Sequence, residues 1–340
     1  EKHLNKALDY VDFKADPDGM LACQINFPGA KSFRFSMSKS PRGYGFNGQT
    51  PPRWSRGQYI PPEGRVFIAR GLSQLEARVG AALAHCSRQL AGFADPTWSI
   101  HKELGAAIYG EAPTKDTPQY TASKGGVYGG NFGIGPLKLA RTSNVLLKDA
   151  KLALTGYHRK YPEIRLWHRS VKTQIINKGQ FINPFGFRRM MLRACGGLAL
   201  VGRIDDDALH QAYNIIPQSV PPFIINQAIC KTMVAAPWIQ FCHQGHDSYL
   251  ASVPIGRVTE ADRILEEALR IVMIIGGREV SIPSEATVGY SWGGMMPLAD
   301  TEPTYRQWAL WINEMWTAGK GLSKAAILEG VYGVLEGEGE

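Results

Sequence analysis

Lys124, Tyr128 and Phe132 recur at a spacing of four, which sets an ammonium and two aromatic faces along one side of a helix. Such a row can hold a phosphate tail and stack a base. Far along the chain, His246-Asp247-Ser248 puts a lone acid in a polar strand turn. Much earlier, an apolar strand around Val66, Phe67 and Ile68 runs into an amphipathic helix carrying Glu76 and Arg78. Together these two segments look like the halves of a nucleotidyl-transfer site, where paired carboxylates hold two metal ions. One carboxylate is missing, because Gly71 stands where the acid of the first segment belongs.

The helix of Lys124 is interleaved with Gly125, Gly126, Gly129, Gly130, Gly133 and Gly135. Each glycine inside a helix costs up to about 1 kcal/mol relative to alanine, so the run needs a reason. Close approach of backbone to a ligand, or a helix that moves, would supply one; an ordinary helix with a buried aromatic stripe is the plainer alternative. A dinucleotide fingerprint is excluded, since no strand precedes the glycines and their spacing is not GxGxxG. Cys242, His243 and His246 are too few and too poorly spaced for zinc. No substitute acid for Gly71 stands out. Glu76 lies more than a helical turn away, Asp205 to Asp207 read as a helix cap, and Lys115, a further cation that could reach phosphates, has nothing to fix it.

The elements that must position these residues alternate between strand and helix patterns. Strands are expected at 20–27, 32–37 and 65–69, with a turn-rich stretch over 40–62 and a helix over 74–91. Helical patterns dominate 98–205, followed by a hairpin over 179–192 with Pro184-Phe185-Gly186 as its turn. A long helix runs from the Asp205–Asp207 cap to about residue 236. Next come a strand hairpin centred on His246-Asp247, a helix over 260–275 ended by Gly276-Gly277, a strand over 279–288, and an aromatic helix over 304–318. No internal repeat or long linker divides the chain. The class is α+β, with strands flanking an inserted helical block.

Composition narrows the partners. At 340 residues, with 44% apolar and 20% charged residues, the chain can bury a large core. Its net charge of +8 favours a polyanion, because cationic side chains that meet phosphates release counterions. Five scattered cysteines with no CxxC pair suit free thiols in a reducing cytoplasm. No apolar run reaches about 18 residues, so no membrane partner is expected. The start at Glu1 rather than Met is compatible with a fragment.

Specific motifs carry a resemblance. Lys124-x-x-x-Tyr128-Gly129-x-x-Phe132-Gly133 is similar to the fingers-helix motif of family A DNA polymerases, and Leu72-Ser73-Gln74-x-Glu76-x-Arg78 resembles that family's first palm motif. His246-Asp247-Ser248 resembles its last palm motif in the form seen among phage members. In order between and around them, the segment 36–52 with Asn47-Gly48-Gln49 resembles the primer-template segment. Asn214-Ile215-Ile216-Pro217-Gln218 resembles the palm helix, and Val288-Gly289-x-x-Trp292-Gly293 the closing strand. The likeness is collinear from about residue 20 to 298.

The resemblance implies a polymerase palm, an antiparallel sheet with helices, carrying an inserted helical fingers subdomain and lacking a thumb. Residues 1–97 would form the first part of the palm, 98–205 the fingers and 206–298 the rest of the palm, with 299–340 a tail of unassigned role. Asp247, with the backbone carbonyl of Leu72, would ligate Mg2+. Glu76 would sit under the sugar, Lys124 and His101 would bind phosphates, Tyr128 would pack on the incoming deoxynucleoside triphosphate and Phe132 would occupy the template insertion site. Arg34, Asn47, Gln49, Gln218 and His246 would touch primer-template DNA.

The expected activity is template-directed DNA synthesis in the cytoplasm of a bacterial host or phage-infected cell. A processivity factor, or a thumb or exonuclease segment, would be supplied from elsewhere. Two departures weaken turnover: Gly71 replaces the family's Asp, and Tyr120 its Arg. A catalytically inactive primer-template or nucleotide-binding protein is therefore the first alternative. A small-molecule nucleotide enzyme is the second, and it would lack a steep salt dependence for duplex DNA.

Overall fold

The computed structural model describes residues 21, 23–26, 30, 32–49, 51–95, 97–114, 117–191 and 206–298. The expected helix over 304–318 and the rest of the tail lie outside the described residues, as do Lys115 and Asp205. In chain order the elements are β1 (Cys23–Asn26), β2 (Ser36–Lys39), β3 (Arg65–Leu72), α1 (Leu75–Leu83), α2 (Ser87–Ala94), α3 (Ile100–Tyr109), α4 (Pro118–Phe132), α5 (Pro136–Ser143), α6 (Leu147–Lys160) and α7 (Pro162–Lys178). There follow β4 (Gln180–Ile182), β5 (Arg188–Met190), α8 (Asp206–Gln218), α9 (Val220–Ala235), β6 (Gln240–Gln244), β7 (Ser248–Pro254), α10 (Val258–Leu269), β8 (Met273–Ile275), β9 (Arg278–Val280), β10 (Ser284–Gly289) and β11 (Met296–Pro297).

Five antiparallel strands in the order β11-β10-β3-β7-β6 make the central sheet, with β3 in the middle. Strand side chains alternate between faces, and here the two faces differ in kind. Val66, Ile68 and Leu72 of β3 join Tyr249, Ala251 and Val253 of β7 in one core, closed by α9, α10 and part of α1. Arg70 shares that face at 4% exposure. Its guanidinium is neutralised by Asp262 at 2.8 Å and Glu266 at 3.3 Å, as a buried cation requires. The register sets Ala69 and Gly71 on the opposite face, beside Leu250 and Ser248 of β7 and Thr287 and Glu285 of β10.

A second core lies among the helices. Ala77 and Ala81 of α1 meet Leu104 of α3, Val127 of α4, Tyr157 of α6, Ile164 of α7 and Ala212 of α8. Helix α1 therefore serves both cores, and the helices from Ile100 to Lys178 interrupt the sheet in sequence.

Several expected boundaries shift, among them the strand expected over 279–288, which is two strands, β9 and β10. β3 continues to Leu72, so Gly71 lies within the strand. The helix expected over 74–91 is two helices, separated where His85 takes a left-handed φ of 53°. The long helix expected to about residue 236 breaks at Ser219, and Pro221 and Pro222, which lack an N–H, open the next one. Gly276 and Gly277, at φ 58° and 77°, do not stop a helix. They turn the β8–β9 hairpin, and α10 has already ended at Leu269.

Candidate nucleotidyl-transfer site

The corner after β3 is held by two backbone hydrogen bonds, and Arg78 Nε adds a side-chain bond to the Ser73 carbonyl at 3.1 Å. The Leu72 N–H donates to the Asp247 carbonyl at 2.9 Å, and the Ser73 N–H donates to the Pro283 carbonyl at 2.8 Å. Gln74 then takes a left-handed φ of 49° to launch α1, which carries Glu76 in its first turn. Two segments remote in sequence thus meet at one sheet end, with Asp247 exposed in the turn between β6 and β7.

Arg34 pairs with one of the acids at this end. Its Nη2 donates to Glu76 Oε1 at 2.7 Å. Burial pushes the Glu76 carboxyl above its ordinary range; Arg34 opposes that shift and the Asp247 charge adds to it. Burial also lowers the His246 imidazolium, helped by Arg34 and opposed by Asp247. These mutual effects bring Arg34, Glu76, His246 and Asp247 within one electrostatic neighbourhood.

Helix α4 supplies the other wall. Thr117 caps it by accepting the Tyr120 N–H at 3.2 Å, and Pro118 fills the first turn, where a missing N–H costs nothing. Lys124 is exposed, and Tyr128 keeps 36% of its surface. The rings of Tyr128 and Phe132 lie 6.3 Å apart, while His101 of α3 lies 5.8 Å from Tyr128 and 6.0 Å from Tyr120. Burial, then the Lys124 charge, lowers His101 to about 4, so it is neutral near pH 7. The Tyr128 hydroxyl is raised first by burial and then by Glu76 and Asp247, which ties α4 to the acidic end of the sheet.

The glycines of α4 face away from this surface, against the expectation that they admit a ligand. A Cβ on Gly126 would lie 2.8 Å from Ala153 Cβ, and one on Gly130 would collide with the Tyr157 ring, so these positions let α6 pack directly on the α4 backbone. The Tyr157 hydroxyl donates to Asn131 Oδ1 and accepts from Gln89 Nε2 at 3.0 Å, and His168 Nε2 donates to the Asn131 carbonyl at 2.8 Å. One side of α4 is locked; the other is left to the cleft.

The expected DNA contacts divide. Asn47 Oδ1 accepts the Gln49 N–H at 3.1 Å, shaping a turn whose Gly48 lies against Cys23, Met37 and His243. Arg34 Nε, Gln49 Nε2, His101 Nδ1 and His246 Nδ1 are buried polar atoms with no hydrogen-bond partner among the described residues. Buried polar atoms are rarely left so, and further side chains, among them the core residues Tyr161 and Thr232, share the condition. Gln218 ends α8, half-buried, with no side-chain hydrogen bond to Asp247, Glu76 or Lys124 among the described residues.

Gly71 pairs with Ser248 on one side and Glu285 on the other. A Cβ added to it would meet only Ser248 Cβ, at an ordinary 3.6 Å, so there is room for the absent side chain. Sequence reasoning overlooked Glu285, since no local pattern reveals which residue a strand will oppose.

Among the described residues no three His, Cys, Asp or Glu side chains cluster as a metal cage. Mg2+ is usually held by one or two carboxylates together with substrate phosphates. The exposed Asp247 carboxylate, with no ion pair among the described residues, and the open space at Gly71 fit such an ion.

An antiparallel sheet with an acid-bearing turn, faced by a helix presenting Lys, Tyr and Phe, is the architecture of a polymerase palm and fingers. Residues 48–294 match the family model of DNA polymerase family A, and the chain belongs to that family. It is similar to a DNA polymerase of Mycobacterium phage D29, at 25% identity over 68% of this chain and 37% of the phage protein. It is also similar to DNA polymerase I of Caldicellulosiruptor bescii, at 27% identity over 32% of this chain and 13% of that protein. Its fold resembles the POL domain of Pol1 from M. smegmatis, solved in complex with DNA primer-template and dNTP, with a TM-score of 0.70 at 21% identity, covering 86% of this chain and 51% of that one. The chain thus spans well under two thirds of these relatives.

Proposed function

We propose that this chain carries template-directed addition of deoxynucleotides to a primer 3′ end. The observation that carries the reading is Tyr128, a fingers-helix side chain whose hydroxyl feels both Glu76 and Asp247. A nucleotide lying along Lys124, Tyr128 and Phe132 would therefore lie beside the acidic end of the sheet. Residues 1–97 and 206–298 are assigned to the palm and 98–205 to the fingers. The working place is the cytoplasm of a bacterial or phage-infected cell.

Lys124 binds the triphosphate as a point charge, and neutral His101 adds a hydrogen bond there. Tyr128 covers the incoming base and sugar, Glu76 held by Arg34 limits space beneath the sugar, and Phe132 occupies the template position. Arg34, Asn47, Gln49, Gln218 and His246 line the primer-template path, and the unpartnered donors of Arg34 and Gln49 support minor-groove contact. Asp247 and the Leu72 carbonyl would hold Mg2+, which when bound lowers the primer hydroxyl's pKa and neutralises the leaving pyrophosphate.

Primer extension by the chain beside Gly71→Asp tests the reading. Slow but template-dependent extension is expected, rising about tenfold or more in the variant. Brisk wild-type extension with no gain would refute the role given to Gly71. Gly71 also favours a second reading, a non-catalytic primer-template binder, and that reading prevails if both proteins bind primer-template and neither extends it.

A further inference from the structure

Gly71 and Glu285 are directly opposed across β3 and β10, on the sheet face that bears the site. Opposed residues of antiparallel strands have Cβ atoms about 4.5–5.5 Å apart and project to the same side. At position 71 there is no side chain to fill the space between, and the only atom a Cβ would meet there belongs to Ser248. Glu285 is exposed and, among the described residues, has no ion pair within 4 Å. Arg78 feels its charge, but that guanidinium is committed to the Ser73 and Phe93 carbonyls at 3.1 and 3.0 Å and to the Phe93 ring at 4.7 Å.

We propose that Glu285 supplies the second carboxylate of the metal site, reaching from the neighbouring strand across the gap that Gly71 leaves. The inference rests on the polymerase reading and deepens it. Glutamate reaches one methylene further than aspartate, and an ion held about 2.0–2.1 Å from an oxygen of each carboxylate spans part of the remaining distance. The glycine is then a condition of the arrangement rather than simply a loss, since a bulky side chain at 71 would stand in the path of Glu285. The ligand is a hard divalent cation shared with Asp247, for which carboxylate oxygens are the appropriate donors.

Binding of Mn2+, used as the probe, can be followed by electron paramagnetic resonance on the 340-residue chain with a dideoxy-terminated primer-template and a matching dNTP. Glu285→Gln should weaken Mn2+ binding by about tenfold or more, while Glu279→Gln, the same charge change at another exposed strand residue, should not. In a Gly71→Asp background the Glu285→Gln effect should largely vanish, because the restored acid takes over. A Glu285→Gln affinity within about twofold of wild type, or a loss matched by Glu279→Gln, overturns the proposal. If Asp247→Asn abolishes binding while Glu285→Gln does not, only this inference fails and the polymerase reading stands. Mn2+ binding that depends on both acids, in a chain that extends no primer, would instead uphold the inference and sink the activity.

Discussion

Helix α4 and strand β3 both contribute residues to the candidate site, yet they differ in how much of their chemistry is intact. On α4, Lys124, Tyr128 and Phe132 form an uninterrupted face backed by a locked packing surface, with Tyr120 the one departure. On β3 the backbone geometry is preserved down to the Leu72–Asp247 hydrogen bond, but the side chain that should act there is absent. On the proposed function, holding a nucleotide and transforming it would fall to separate elements, so that one could be weakened while the other persists.

The largest expected effect lies on the sheet. Asp247→Asn should lower single-turnover extension by about three orders of magnitude, corresponding to several kcal/mol of lost charge stabilisation, while leaving primer-template affinity nearly unchanged. Equal losses in rate and DNA affinity would break the division between the two elements. Lys124→Ala should act on the other side, raising KM for dNTP roughly ten- to hundredfold, as expected for a charged hydrogen bond to phosphate, with a smaller change in kcat. A pure kcat effect would move Lys124 from binding to chemistry.

The smallest effect concerns pH. His101 on α3, His243 on β6 and His158 on α6 are each pushed by burial to about 4 in the folded chain. The unfolded chain takes up protons near pH 6.5 that the folded chain refuses until about pH 4, so stability should fall as pH drops through that window and level off below it. Between pH 7 and 9 these three histidines should leave the thermal midpoint unmoved. A midpoint that rises on acidification to pH 5 would mean that they are charged in the folded state.

The two elements were also unequally legible in the sequence. Lys124, Tyr128 and Phe132 lie four apart on one helix, so local periodicity alone was enough to align them. The sheet end joins residues from three distant strands, and strand register is set by long-range pairing that no local pattern records. Hence Asp247 and Gly71 were found through motif likeness, and Glu285 was not found at all. Breaks in helices were read too lightly at Ser219, although Pro217, Pro221 and Pro222 announced them. The glycines of α4 were noticed but assigned to the wrong neighbour, because sequence shows that a backbone must be approached closely without showing by what.

The hydrogen bond from Leu72 to Asp247 joins residues 175 positions apart in sequence. Strand β3 likewise finds both its partners, β7 and β10, only after the entire helical block has been made. Contacts this distant are slow to close, and they leave β3 as an unpaired apolar edge while synthesis proceeds. A ribosome that stalls before about residue 248 would release a chain whose β3 has neither strand partner, a sticky strand exposed for aggregation.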